Sequence, residues 1–178
     1  WSPYHGAMYA IVESIAKIVA MGGDYHTIRF SFQEYFEKLL DDPYKWGKPL
    51  SALLAANRVQ HELKLPSIGG KDSMSGTFEN INVPHTLVSF AVTHDEVSNV
   101  VSGAFKSDGN NIYMVSVPYS DKLEPDYKTF LENSDVIYDL NNAGKIKAMY
   151  PVGPGGIAES LTKMAMGNRI GIKIDNVP

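Results

Sequence analysis

A polar, glycine-rich segment at residues 66–77 (PSIGGKDSMSGT) carries the strongest chemical signal in the chain. Within it, residues 69–75 provide two adjacent glycines, a lysine, an aspartate and two serines: Gly69, Gly70, Lys71, Asp72, Ser73 and Ser75. The paired glycines allow backbone N–H groups to approach a ligand closely because they lack a Cβ. The lysine offers a cation, the aspartate can hold Mg²⁺, and the hydroxyl groups can bind oxygen atoms. Together these groups suit a metal-bound polyphosphate.

The segment is not a Walker A loop. That motif needs a glycine where Leu65 stands and a serine or threonine directly after the lysine, where Asp72 stands. A short strand followed by a solvated hairpin loop is an alternative interpretation, because glycine, lysine, aspartate and serine are ordinary turn residues. The spacing alone favours neither interpretation.

A second glycine cluster, residues 153–156 (GPGG), leads directly into a predicted helix. Free amides at the start of a helix attract anions, so the cluster could bind a phosphate. A tight turn between a strand and a helix explains the same residues without a ligand, and this structural interpretation is favoured.

Other catalytic and metal-binding motifs fail. His61 and Glu62 begin a zincin-like pair, but Leu65 occupies the position of the second ligand. The histidines, His85 among them, show no metal-ligand spacing, and surface or capping roles are favoured for them. No serine fits the nucleophile elbow of a hydrolase. The absence of cysteine excludes disulfides, thiolate zinc sites and a cysteine nucleophile.

Composition narrows the class of protein further. The 178 residues carry 16 basic and 20 acidic side chains, for a net charge of -4, and 44% of residues are hydrophobic. Neither half of the chain is cationic, so a nucleic-acid partner is not expected. No apolar run approaches the ~20 residues of a membrane helix, and no secretion signal opens the sequence. We therefore expect a cytoplasmic protein that does not enter a membrane.

The spacing of apolar residues predicts the helices and strands that position the glycine-rich segment. Apolar residues at three- and four-residue steps predict a first helix at 8–19, and Gly22 follows at its cap. Pro49 is expected to open a later helix whose leucines face inward. The predicted helices are 8–19, 33–40 and 50–64, the inward leucines are Leu50, Leu53, Leu54 and Leu63, and the predicted strands are 27–32 and 87–92. The last strand is expected to be buried on both faces.

The pattern changes near residue 95, which predicts two modules, 1–97 and 98–178. In the second module, strands are predicted at 112–117, 146–150 and 169–174, and helices at 125–131, 136–142 and 157–166. Mixed strands and helices predict an α/β (α+β) architecture in which each module is a mixed sheet with helices on one side.

The segment PSIGGKDSMSGTF resembles the GKDSMS signature of phosphoribosylformylglycinamidine synthase, the glutamine-dependent amidotransferase of purine biosynthesis. The similarity extends through most of the chain, into residues 1–24, 32–39, 83–92 and 155–172. The signature is specific to the family, and the other segments support it.

This resemblance implies a longer polypeptide with two ATP-binding halves of the aminoimidazole-ribonucleotide-synthetase type and a glutaminase domain. The chain then holds the later part of one N-terminal domain and the first part of the C-terminal domain in the second half. In the implied reaction, ATP activates the amide oxygen of formylglycinamide ribonucleotide, and ammonia released from glutamine displaces the phosphate. The chain alone is expected to be inactive.

The resemblance also implies roles for individual residues. Gly69, Gly70, Lys71, Asp72 and Ser73 inherit nucleotide binding, and Asp72 is a possible Mg²⁺ ligand. Some long-chain members bind Mg²⁺ on an auxiliary ADP through a Glu and, four residues on, an Asn. This sequence keeps Glu13 but has Lys17 at the Asn position, and it lacks the Asp that precedes the paired glycines. The auxiliary site, and Glu13 as a ligand, are therefore in doubt.

Two other functions remain open. The chain could belong to a structural half that supports the catalytic half and binds no nucleotide. It could also belong to another ATP-using member of the superfamily, such as a selenophosphate or thiamine-phosphate kinase type, although the GKDSMS signature favours the amidotransferase.

Overall fold

Four α-helices and a small mixed sheet form the fold in the computed structural model, which describes residues 2–73 and 76–175. The helices are α1 (Pro3–Ala20), α2 (Pro43–Leu63), α3 (Tyr127–Asn142) and α4 (Gly156–Asn168). The strands are β1 (Arg29–Tyr35), β2 (Ser67–Ser73), β3 (Thr77–Phe78), β4 (Ile81–Asn82) and β5 (Thr86–Val92). The predicted α/β class is confirmed. No helix in the described part of the chain is long and apolar enough to cross a membrane.

Strand β1 is the centre of a three-stranded sheet in the order β2-β1-β5. Strand β2 runs parallel to β1, and β5 runs antiparallel to it. The register between β1 and β2 shifts after Phe30, which is paired with Ser67, so that Ser31 is paired with Gly69. Strands β3 and β4 form a separate two-stranded antiparallel ribbon.

Helix α1 packs against both α2 and β5 and supplies much of the core. Its apolar residues recur at three- and four-residue steps, and Ile11 and Ile15 are completely buried. Phe30 of β1 joins them with no exposed surface. The predicted amphipathic helix is therefore confirmed, as is its glycine cap, because Gly22 has a φ of +89° that only glycine adopts readily.

Helix α2 begins earlier than predicted. Asp42 accepts a hydrogen bond from the backbone N–H of Tyr44 and caps a helix that starts at Pro43, so Pro49 lies inside the helix and does not open it. The buried face consists of small residues that let α1 and α2 approach closely: Ala52, Ala55, Ala56 and Val59, with Leu63. The prediction that Leu50, Leu53 and Leu54 face inward is wrong, since they are 57%, 46% and 56% exposed.

The predicted helix at 33–40 is also wrong. Residues 33–35 continue β1 and pair with both β2 and β5, which satisfies their backbone groups in a way that local helix propensity cannot. The strand at 87–92 is present as β5, but it is not buried on both faces. It lies at a sheet edge, where Leu87 is buried while Phe90 and Val92 are more than half exposed.

The second half differs most from the prediction. The described residues 98–175 form no strand at 112–117, 146–150 or 169–174, and contain only an isolated bridge between Tyr119 and Pro125. The expected mixed sheet of a second module is therefore missing from this part, because none of these segments pairs with another strand. The two predicted helices at 125–131 and 136–142 are one helix, α3, whereas α4 agrees with its prediction.

Helix α3 and the segment before it pack on the first half. Phe130 is buried in the shared core, and the hydroxyl of Tyr25 donates to Asp135 over 2.9 Å. Arg58 of α2 donates to both carboxylate oxygens of Glu124, over 2.8 and 2.9 Å. Contacts thus cross the expected boundary at residues 97 and 98, and the division into two modules stays a prediction.

Candidate functional site

A groove of about 330 Å³ lies between the sheet and α2, and β2 forms one of its walls. Strand β1 contributes Phe32 and Glu34, and α2 contributes Leu53 and Gln60. The residues that line it from the glycine-rich segment are Gly69, Gly70, Lys71 and Asp72. The structure therefore places four of the five predicted nucleotide-binding residues along one groove.

The glycine-rich segment is a strand where a loop was expected. Residues 69–73 all belong to β2 and pair with β1. Gly70 is required by this pairing, because a Cβ there would lie 2.7 Å from the Phe32 carbonyl oxygen. A Cβ on Gly69 would meet nothing within 4 Å, so this glycine leaves open space on the surface. Ser75, the second predicted hydroxyl, lies outside the described residues.

Polar side chains fix β2 against its neighbours. The backbone N–H of Ser67 donates to Oε1 of Gln60 over 2.7 Å, and Nε2 of Gln60 donates to the carbonyl of Ala56 over 3.0 Å. At the far end of the strand, Nε2 of Gln33 donates to Oγ of Ser73 over 3.3 Å. Ser73 is thus used within the sheet, whereas Lys71 and Asp72 are exposed.

Glu34 is the residue that sequence reasoning missed. Its side chain is 2% exposed although it lines the groove, and it lies beside Asp72, its register partner in β2. The pKa of Glu34 is raised to about 7, mainly because the side chain is buried and to a smaller extent because the charge of Asp72 lies nearby. A period-two pattern continued from Phe30 and Phe32 would have placed this glutamate on the buried face of a strand.

His85 is a second buried, titratable side chain next to Glu34. Its side chain is 5% exposed, and its Nε2 is 3.5 Å from Oε1 of Glu34, beyond the geometry of a hydrogen bond. The ring stacks on Phe36 with a centroid separation of 6.2 Å. Burial lowers the pKa of His85, and the positive charge of Lys48 lowers it too. The sequence-based preference for a surface or capping role is therefore wrong for this histidine.

A second, smaller pocket of about 230 Å³ opens beside His85. Its charged residues satisfy one another, because Lys48 donates to Glu37 and Lys45 lies 3.3 Å from the other carboxylate oxygen. The hydrogen bond from Lys48 lowers the pKa of Glu37, and Lys45 contributes in the same direction. Among the residues that the structure describes, no unpaired charge in this pocket points to a ligand.

Glu13, the doubtful metal ligand, is not among the residues that line the groove. Its carboxylate is paired with Lys17 at 2.7 Å, with i,i+4 spacing on an exposed face of the helix. The structure does not bring Glu13 together with Asp72, and the pairing agrees with the departure from the family pattern noted in the sequence.

The second glycine cluster has no open anion site. Gly155 caps the start of α4, and a Cβ on it would overlap with the Glu159 carboxylate. A hydrogen bond from Lys163 is the main cause that lowers the pKa of Glu159, and the backbone of Gly155 acts in the same direction. The helix therefore holds its own carboxylate where a phosphate would bind, which supports the structural interpretation.

The groove fits a hard cation better than a zinc ion. The described part of the chain contains no cluster of three or more histidine, aspartate or glutamate side chains that could hold a metal. Two carboxylates do meet there, Glu34 and Asp72, and Mg²⁺ commonly uses one or two carboxylates with water and substrate phosphates as its other ligands. The donor set thus suits Mg²⁺ that also binds a phosphate.

Comparison with known proteins agrees with the glycine-rich signature. No protein-family model matches the chain. The PurL subunit of phosphoribosylformylglycinamidine synthase from Methanobrevibacter smithii is 21% identical over 198 residues, which cover 98% of this chain and 27% of the relative. The PurL subunit from Thermoplasma volcanium is 23% identical, with 97% and 24% covered. The resemblance to phosphoribosylformylglycinamidine synthase is confirmed.

Solved structures of the synthase show the same fold. Thermotoga maritima PurL complexed with ATP matches with a TM-score of 0.66 and 12% identity, covering 94% of this chain and 27% of that one. The same protein complexed with AMPPCP gives a TM-score of 0.61 at 14% identity, with 94% and 27% covered. The chain thus spans about a quarter of the length of the synthase relatives that it matches.

Proposed function

We propose that this chain is part of an ATP-dependent amidotransferase of de novo purine biosynthesis. The complete protein converts formylglycinamide ribonucleotide, glutamine and ATP to formylglycinamidine ribonucleotide in the cytoplasm. This chain supplies one wall of the ATP site, and the rest of the polypeptide supplies the acceptor pocket and a glutaminase domain. The carbon–nitrogen ligase reaction then belongs to the complete protein, not to the chain alone.

The observation that carries this proposal is the groove lined by Gly69, Gly70, Lys71 and Asp72. Exposed backbone without a Cβ, an exposed lysine and two carboxylates along one groove match the requirements of a polyphosphate and its metal ion. The curated relatives support the same conclusion through their names, and a solved relative was crystallised with ATP.

Each residue has a distinct role in the proposed site. Gly69 leaves the backbone of β2 open to close approach, and Lys71 offers a positive charge to phosphate oxygens. Asp72 is the candidate Mg²⁺ ligand from the glycine-rich segment. When bound, Mg²⁺ neutralises phosphate charge and orients the phosphate for transfer.

Two observations bear on the alternative, a structural half that binds no nucleotide. The Glu13–Lys17 ion pair and the Glu159 carboxylate at the start of α4 occupy two positions where anion or metal ligands were considered. Both positions lie outside the groove beside β2, so they argue against an auxiliary nucleotide and not against the proposed site.

A measurement of ATP binding to the complete protein distinguishes the ATP-site function from the structural alternative. We expect Lys71→Ala to weaken ATP binding measured by calorimetry, since a charge contact to phosphate is lost. Lys128→Ala is the matched control, because Lys128 is an exposed lysine on α3 that is paired with Glu132 at 3.7 Å. Equal ATP affinity in Lys71→Ala, Lys128→Ala and the wild type would favour the structural half.

A further inference from the structure

Glu34 places a carboxyl group in the buried interior beside β2. Neither of its carboxylate oxygens has a hydrogen-bond partner among residues 2–73 and 76–175, although the side chain is 2% exposed. Removing an ionised carboxylate from water without a partner is costly, so such groups in proteins are paired, protonated or bound to a metal. This carboxylate lines the groove beside β2.

The neighbours of Glu34 do not supply the missing positive charge. His85 is nearest, but its ring nitrogens are also buried without partners in the described part of the chain, which disfavours its charged form. Asp72 adds a second negative charge from the next strand. Lys71 lines the same groove, yet no salt bridge joins it to either carboxylate among the described residues.

We propose that Glu34 and Asp72 together bind one divalent cation in the groove. The parallel register places the two residues directly opposite each other, and both line the same space. Two carboxylates leave most coordination positions to water or phosphate, which is typical of Mg²⁺ or Mn²⁺ and too few for a structural zinc site.

The position of Glu34 on the central strand makes it the rigid ligand. It is held between β2 and β5, where its register partners are Asp72 and Leu87. Asp72 is on the edge strand and exposed. A buried, fixed ligand beside an accessible one gives a cation a defined position while leaving its outer side open to a phosphate. Only the identity of that phosphate, from ATP, rests on the proposed function.

The test is a titration of Mn²⁺ into the complete protein without nucleotide. Binding is measured by electron paramagnetic resonance as the loss of the free Mn²⁺ signal, and Mg²⁺ is added as a competitor. We expect Glu34→Gln and Asp72→Asn each to lose one Mn²⁺ site or to weaken it by about 10-fold or more. Glu13→Gln is the matched control, because Glu13 is an exposed glutamate already paired with Lys17.

Unchanged Mn²⁺ stoichiometry and affinity in Glu34→Gln would overturn the proposal and show that Glu34 simply stays protonated. If this variant does not fold, as judged by thermal melting, the exposed Asp72→Asn carries the same test alone. Failure of the proposed function looks different: the Mn²⁺ site would be present, but Lys71→Ala would leave ATP affinity unchanged. Loss of ATP affinity in Lys71→Ala with an intact Mn²⁺ site in Glu34→Gln would reject only the cation site.

Discussion

Glu34 and Asp72 are register partners in adjacent parallel strands, and the pair joins a buried carboxylate to an exposed one. The two residues are far apart in sequence, and only the pairing of β1 with β2 brings them together. Burial raises the pKa of Glu34, and the proximity of Asp72 raises it further.

The first prediction concerns stability and pH. Because the pKa of Glu34 is about 7 in the folded chain against an ordinary 4.5, the folded state holds an extra proton between these values. Stability therefore falls as the pH rises through this window. Without divalent cations, Glu34→Gln should be more stable than the wild type at pH 8, by up to ~3 kcal/mol, and similar to it at pH 4.5.

The measurement is the melting temperature of the complete protein in a chelating buffer at several pH values. The groups that face Glu34 are Asp72 and His85, and His85 contributes with the opposite sign because burial lowers its pKa. Comparing Glu34→Gln with the wild type isolates the glutamate. Parallel curves for the two proteins would contradict the prediction.

The second prediction separates turnover from folding. Lys71 and Asp72 are exposed, so replacing them should change stability by no more than ~0.5 kcal/mol. Losing a contact to a phosphate whose charge shifts during transfer should lower the rate by ~100-fold or more. We expect Lys71→Ala and Asp72→Asn in the complete protein to melt like the wild type while turning over far more slowly. Wild-type rates in both variants would show that neither residue serves catalysis.

The third prediction uses the two adjacent glycines. A Cβ on Gly70 would lie 2.7 Å from the Phe32 carbonyl oxygen, whereas one on Gly69 meets nothing within 4 Å. Gly70→Ala must therefore push β2 away from β1 and should cost ~1–3 kcal/mol, and Gly69→Ala is its matched control. Thermal melting compares the two variants, and equal melting temperatures would mean that β2 does not pair with β1 in this register.

The fourth prediction is that this part of the protein holds no tightly bound ADP with magnesium. Lys17 places a positive charge 2.7 Å from Glu13, and a protonated lysine has no lone pair to offer a metal. Purified complete protein, once denatured, should release no stoichiometric ADP into the supernatant. Stoichiometric ADP would refute this expectation, and a Lys17→Asn variant that gained nucleotide would support the proposed cause.

The fifth prediction is that the 178-residue chain alone makes no formylglycinamidine ribonucleotide. It contributes one wall of a composite site, and positioning of ATP against its acceptor fails without the opposing wall. The assay supplies ATP, formylglycinamide ribonucleotide and ammonia, so that the missing glutaminase is not limiting. Product formation by the chain alone would reject the composite site.

Patterns among neighbouring residues in the sequence were enough to predict some features of the structure. The repeated apolar residues of α1, its Gly22 cap and the helix after the second glycine cluster are all present as predicted. These features depend on side chains within a few residues of one another, so that sequence order and spatial order agree. The GKDSMS signature likewise indicated the proteins that the chain resembles, because it is a contiguous run of residues.

Tertiary structure decided the rest. Residues 33–35 are a strand because β2 and β5 pair with them, and Leu50, Leu53 and Leu54 are exposed because α1 packs against the alanines of α2 instead. The candidate site also depends on contacts between distant segments. The pKa of Glu34 is set by burial and by Asp72, and the pairing of β1 with β2 brings Asp72 next to it. Backbone pairing and desolvation are set by neighbours in space, and a sequence does not list those neighbours.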